Sequence, residues 1–315
     1  MIIDNIKFPL DTFEKLINDI SGCNLEEWIN FWEKESEIIS FVHDYYGNNF
    51  KNDWLWGVVL PILSDIYNLK NSSRERKVIG LSALPGTGKT TLGLLIEKLS
   101  LKIDIKVSVV SMDDFYLPFS EMHIAIKDNP WNVSRGFPGS HSICLMEEKI
   151  LEWKNTGRFN HPVFDKSLRN GLGDRSSWNI DFPEILILEG WFLGVNQFSS
   201  NSISKEKITP PLYPQEIKYR SKIQYNLNNY LKIWKLIEKI WQIKPKEFSY
   251  MDLWKSDQEN EMLKTKGNAL VNNHLKNFLR MLSCSIPQES FNEINSQYLI
   301  TLNKNRELIS AGLNI

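Results

Sequence analysis

The chain has 315 residues, 42% hydrophobic and 24% charged, the balance of a globular protein with a large core. Its formal net charge of −1 supplies no global pull toward nucleic acid or a membrane surface, so an anionic ligand has to be held by a local group of cations. Cys23, Cys144 and Cys284 match no metal-ligand spacing or disulfide framework, which points to a reducing cytoplasm.

Residues 1–76 are predicted to be a mostly helical extension ahead of a domain over 77–315. The opening Met1-Ile2-Ile3-Asp4-Asn5 lacks the pattern of a signal or transit peptide. Apolar residues recur at three- and four-residue steps over Thr12–Ile20, Leu25–Val42 and Asp53–Leu69. Trp28, Phe31 and Trp32 are expected to be packing residues. The most apolar stretch, Trp54 to Leu63, is too short to span a bilayer. Polar Asn71 to Arg76 is the expected linker.

A short apolar run from Val78 leads into Ala83-Leu84-Pro85-Gly86-Thr87-Gly88-Lys89-Thr90-Thr91, and Leu92, Leu95, Ile96 and Leu99 then fall at helical spacing. Strand, glycine turn and helix around [AG]-x-x-x-x-G-K-[ST] form the context of a phosphate-binding P-loop, with Ala83 where the stricter pattern has glycine. Glycines let several N–H groups converge, and the helix N-terminus adds partial positive charge. Lys89 is expected to reach the β- and γ-phosphates of ATP, and Thr90 to hold Mg²⁺.

Ile105 to Met112 reads as a second strand, ending in Asp113-Asp114-Phe115-Tyr116. Ligands of open α/β sheets lie beyond the carboxyl ends of the strands. One carboxylate, Asp113, suits a substrate hydroxyl, and Asp114 suits the metal. Residues 120–180 carry little regular pattern apart from a helix over Ser142–Lys154, and are expected to be a lid or substrate segment. They concentrate Arg135, His141, Lys166, Arg169 and Arg175, a set suited to a carboxylate or phosphate. Pro183 to Trp191 reads as a buried parallel strand with Glu189 at its end, placed for Mg²⁺ as a Walker-B acid. Ser199 to Pro214 reads as a loop. A helix is predicted over Ser221–Ile243 from the stripe Ile223, Leu227, Tyr230, Trp234, Ile237 and Trp241. Helices over Phe248–Lys266 and Asn268–Leu282 and a strand over Tyr298–Leu302 follow. The expected fold is α/β: a P-loop-type parallel sheet flanked by helices.

Ala83–Thr91, Asp113-Asp114-Phe115-Tyr116, Arg135-Gly136-Phe137-Pro138-Gly139-Ser140-His141, Phe164-Asp165-Lys166-Ser167, Gly171-Leu172-Gly173-Asp174-Arg175 and Glu189-Gly190-Trp191 together resemble the D-glycerate 3-kinase family. That family is similar to uridine kinase, pantothenate kinase and phosphoribulokinase. The likeness covers roughly residues 55–302 and departs from the family pattern at Ser140, Ser142 and Lys255. It implies transfer of the ATP γ-phosphoryl group to D-glycerate. Asp113, Lys89 and Arg175 are then the catalytic set, and Asp113, Tyr116, Arg135, His141 and Lys166 face the substrate. A uridine- or pantothenate-like acceptor, or a nucleotide-binding protein without catalysis, are the alternatives. Neither nucleic acid nor membrane is an expected partner.

Overall fold

Residues 8–46, 50–196, 198, 208–266 and 269–314 are described in the computed structural model of the chain. The N-terminal region forms α1 (Leu10–Ser21), α2 (Leu25–Lys34), α3 (Ser36–Tyr46) and α4 (residues 52–72, with a π-helical segment at Leu55–Val59). Helix α1 buries Phe13, Leu16, Ile17 and Ile20 as one stripe and stops at Gly22, whose φ of 70° returns its N–H to Asn18 O at 2.8 Å. Helix α2 opens on a capping box between Asn24 and Glu27. The single helix expected over Leu25–Val42 is broken at Glu35, where ψ reaches 50°. Trp28 and Trp32 are buried, and both indole N–H groups donate to Ser64 Oγ of α4, at 2.8 and 3.0 Å. Phe31 differs from the expectation, being 48% exposed.

The main sheet contains β1 (Lys77–Ala83), β2 (Val107–Ser111), β5 (Ile185–Gly190), β6 (Ile237–Pro245), β7 (Tyr298–Leu302) and β8 (Leu308–Leu313), in the spatial order β2-β5-β1-β6-β7-β8. All neighbours pair in parallel except β7 and β8. Strands β3 (Phe159–Asp165) and β4 (Asp174–Asp181) form a separate antiparallel hairpin. Strand β5 is buried along its whole length, as a central parallel strand covered on both faces must be.

Helices cover both faces: α5 (Lys89–Ser100), α6 (Phe119–Ala125), α7 (Ile143–Thr156), α8 (Pro214–Trp234), α9 (Tyr250–Lys266) and α10 (Asn272–Ser285). Strand β1 alternates between two cores. Ile79, Leu81 and Ala83 join the N-terminal helices and α5, while Val78 and Leu84 join α7, α8 and α10. A polar network locks the N-terminal helices to the sheet. Fully buried Asp65 accepts from Lys239 Nζ and from the Trp241 indole, each at 2.9 Å, and the Tyr298 hydroxyl accepts from Lys239 at 2.8 Å and donates to Asp19 at 2.9 Å. Among the described residues no helix is long and apolar enough to cross a membrane.

Two regions differ from the sequence reading. The helix expected over Ser221–Ile243 ends at Trp234, and Ile237 and Trp241 lie on β6 between β1 and β7. Their spacing continued the helical stripe by coincidence. The short buried run Ile240 to Ile243 is what a central strand requires. Residues 120–180, read as largely irregular, contain the β3–β4 hairpin. Its second strand is mostly exposed, with Trp178 and Ile180 facing solvent, so no alternation of buried and polar residues marks it. Most of the loop expected over Ser199–Pro214 lies outside the described residues.

Candidate functional site

The P-loop follows β1 at the carboxyl edge of the sheet, and α5 begins at Lys89. Gly86 and Gly88 have φ of 79° and 96°, conformations in which a side chain is strained. Gly86 is also required for space, because a Cβ there would lie 2.5 Å from the backbone carbon of Trp254. Thr87 closes the turn by donating from Oγ1 to Leu84 O at 2.7 Å. Arg306, in the turn between β7 and β8, donates from Nε to Gly86 O at 2.9 Å and from Nη2 to Trp254 O at 3.1 Å. The loop is thus held by backbone-directed bonds from outside the motif. Lys89 Nζ lies 3.8 Å from Glu189 Oε2 at the end of β5, which unites the two predicted nucleotide-side groups. Burial pushes the Glu189 carboxyl up, opposed by Lys89. Thr90 and Thr91 are exposed at the start of α5.

Asp113 and Asp114 sit in a short 3₁₀ turn (Met112–Phe115) after β2, and Ser111 Oγ caps it by accepting from the Asp113 N–H at 3.2 Å. Asp113 Oδ2 accepts from Lys166 Nζ at 2.6 Å, and His141 Nε2 lies 4.0 Å from Oδ1. Burial acts to raise the Asp113 pKa, but Lys166 and His141 outweigh it and hold the carboxyl well below its usual range. Asp114 behaves in the opposite way. Burial, with the neighbouring Asp113 charge added, raises its pKa to about 6, although its Oδ1 accepts from the Phe164 N–H at 3.4 Å. Adjacent acids therefore have opposite environments, the pattern expected where two carboxylates have two tasks.

The remaining predicted residues surround Asp113. Tyr116 is buried, its ring stacked on His141 at 4.5 Å, and burial with the nearby Asp113 charge pushes its hydroxyl pKa up. Arg135 spends Nη1 on Leu172 O at 2.6 Å and Gly171 O at 3.1 Å, and its guanidinium lies over Phe164. It thereby holds the loop that joins β3 to β4 and carries Lys166. Arg175 is engaged elsewhere: Nε donates to Tyr116 O at 3.1 Å and Nη2 to Ser142 Oγ at 2.6 Å. It braces the back of Tyr116 against the start of α7. Lys255, on α9, pairs with Glu259 and is close enough to Lys89 and Lys166 that burial and their charges depress its pKa.

Two residues that the motif reading did not assign to the site also reach it. Arg306 grips the P-loop, as described above. Tyr230, expected as core on a segment that also resembles the family, places its hydroxyl 2.7 Å from His141 Nδ1 and 3.0 Å from the Gly139 N. One signal was available for Tyr230: a phenol on a buried helical stripe needs a hydrogen-bond partner.

The chain is similar to known proteins in sequence and in fold. Over 198 residues the chain is 31% identical to the chloroplastic D-glycerate 3-kinase of Arabidopsis thaliana, matching 59% of this chain and 41% of that protein. The solved D-glycerate 3-kinase of Cryptococcus neoformans superposes with a TM-score of 0.70 at 25% identity, covering 80% of this chain and 96% of that one. The likeness is to D-glycerate 3-kinases. It holds in sequence and in fold, as the motifs implied. An uncharacterised kinase of Schizosaccharomyces pombe is 26% identical over 196 residues, 59% of this chain and 70% of its own length. No family model matches the chain. The chain thus spans less than half the length of the plant D-glycerate 3-kinase.

Proposed function

We propose that the protein is a kinase that transfers the γ-phosphoryl group of ATP to a hydroxyl of D-glycerate, giving 3-phosphoglycerate. The observation that carries this reading is the facing of two charged pairs, Lys89 with Glu189 and Lys166 with Asp113, across the carboxyl edge of β1, β5 and β2. The first pair belongs to the phosphate side and the second to the hydroxyl side. Arg135, Lys166 and Lys255 supply the cations that a carboxylate-bearing acceptor needs and a neutral nucleoside does not.

In this reading the P-loop N–H groups and Lys89 bind the phosphates. Ionised Asp113 accepts a hydrogen bond from the attacking hydroxyl, orients it and takes its proton as the new P–O bond forms. Lys166 and Lys255 offset the negative charge gathered there. Phosphoryl transfer asks little covalent work of a protein, so positioning and charge carry the rate. Thr90, Asp114 and Glu189 would hold Mg²⁺. Their hydroxyl and carboxylate oxygens are the hard donors this ion takes. Mg²⁺ supplies neutralisation of phosphate charge.

An ADP-release assay with Mg–ATP and D-glycerate, run beside L-glycerate, uridine and pantothenate, tests the reading. Preferential turnover of D-glycerate is expected. Faster turnover of uridine or pantothenate would transfer the reaction to another acceptor, and none with any acceptor would remove the kinase reading.

A further inference from the structure

His141 and Tyr230 are buried beside the acceptor side of the site, and their hydrogen bonds specify a protonation pattern. Tyr230, on α8, has no exposed surface. Its oxygen receives the Gly139 N–H at 3.0 Å. A phenol oxygen has two acceptor positions and one proton. The Gly139 N–H can only donate, so the phenol proton goes to the hydroxyl's other partner among the described residues, His141 Nδ1, 2.7 Å away. The turn is built to bring these groups together. Gly139 has φ of 106°, a Cβ there would collide with Asn226 of α8, and Asn226 Nδ2 donates to Pro138 O at 3.1 Å.

If Nδ1 accepts, the neutral imidazole carries its proton on Nε2. Burial favours the neutral ring. The ring plane is fixed by Tyr116, stacked at 4.5 Å, and by the edge contact with Phe192 at 5.7 Å. Nε2 then faces Asp113 Oδ1 across 4.0 Å, too far for a direct hydrogen bond. One oxygen about 2.8 Å from each atom closes a triangle on that base. A substrate hydroxyl fits there on both counts: it accepts from Nε2–H and donates to the carboxylate. The opposite tautomer would leave the Tyr230 proton without an acceptor and turn a lone pair toward Asp113.

We propose that Tyr230 is a positioning residue that holds His141 as its Nε2–H tautomer, so that His141 and Asp113 together grip the attacking hydroxyl and orient it toward the phosphate. The second half rests on the kinase reading above; the tautomer does not.

The test is a long-range ¹H–¹⁵N correlation spectrum of the full chain labelled at histidine, with His141 assigned by its loss in His141→Gln. His161 is an internal reference of the opposite kind, because its Nδ1 faces Pro162 O at 2.9 Å and must be the donor. The expected wild-type pattern is Nε2–H at His141 and Nδ1–H at His161. In Tyr230→Phe, His141 should gain the Nδ1–H form. Nδ1–H at His141 in the wild type would overturn the proposal, whichever acceptor the enzyme uses. With the acceptor preferred in the assay panel, Tyr230→Phe should lower kcat by about 10–100-fold, the usual cost of losing an orienting partner, and leave the KM for ATP unchanged. An unchanged kcat would also overturn it. Loss of glycerate turnover in the wild type would instead count against the acceptor reading, with the spectrum still deciding the tautomer.

Discussion

The two halves of the proposed site are built differently. On the nucleotide side, one contiguous stretch from Ala83 to Thr91 supplies nearly every group, and its shape is held through the backbone, by Arg306 on Gly86 O and by the closeness of Gly86 to Trp254. On the acceptor side, Asp113, Arg135, His141, Lys166 and Tyr230 come from separate parts of the chain. Asp113 is bonded to Lys166 and His141 to Tyr230 through side chains, and Arg135 shapes the loop carrying Lys166 through the carbonyls of Gly171 and Leu172. The first half is a local device with a rigid frame. The second is a long-range assembly in which each residue depends on its neighbours' charge and hydrogen bonding. Damage to the first should therefore appear in ATP binding, and damage to the second in turnover.

The sharpest separation is expected from Asp113→Asn. Loss of the proton acceptor should lower kcat by roughly 10²–10⁴-fold while ATP affinity, measured by calorimetry, stays close to wild type. Comparable weakening of ATP binding would show that the halves are not separate. Lys89→Ala removes a preorganised cation on the phosphates. It should cost on the order of 10²–10³-fold in kcat and, unlike the Asp113 change, also weaken ATP binding.

Arg306→Ala leaves every motif residue in place but frees the Gly86 carbonyl. A hydrogen bond from a charged group contributes roughly 1.5–3 kcal/mol, so an increase of about tenfold in the KM for ATP is expected, with the KM for the acceptor unchanged. Equal effects on both substrates would mean that Arg306 supports the fold at large. The smallest effect concerns the brace beneath the acceptor side. Glu216, on α8, accepts from the Trp131 indole at 2.8 Å and is held bidentately by Arg280 at 2.9 and 2.6 Å. Burial pushes its pKa up, but Arg280, the Tyr213 N–H and Trp131 outweigh this and hold it below the usual 4.5. A folded-state pKa below the unfolded one stabilises the protein above pH 4.5, and that contribution is lost as pH falls through the lower folded value. Urea denaturation should therefore show a wild-type advantage over Glu216→Gln at pH 7 that narrows below pH 4.5. A constant gap would assign the brace to packing.

Legibility follows the same division. The P-loop, the acids after β2 and Glu189 at the end of β5 could be read because each is a short motif at the carboxyl end of a strand, and the α/β sheet brings those ends to one edge. The cation cluster of 135–175 was legible as a set, yet its members have different tasks. Lys166 faces Asp113, Arg135 shapes a loop, and Arg175 is bonded to Tyr116 O and Ser142 Oγ. Nothing in their spacing separates these roles, because which nitrogen meets which oxygen is settled by the β3–β4 hairpin. That hairpin carries too little buried alternation to be recognised. Strand β6 was hidden for a related reason, since Ile237 and Trp241 stand at helical distance from Trp234 and only pairing with β1 and β7 makes them a strand.

By itself the sequence determined the P-loop, the helical N-terminal region, the α/β class and the acids at the sheet edge, since each follows from short-range sterics, periodicity or motif chemistry. Tertiary structure alone decided that Arg306 grips Gly86, that the Tyr230 hydroxyl meets His141 Nδ1, and that the Asp113 carboxyl is held well below its usual range while that of Asp114 is raised. These are pairwise contacts across long stretches of chain, and in buried surroundings such contacts set charge and proton position more strongly than residue type does.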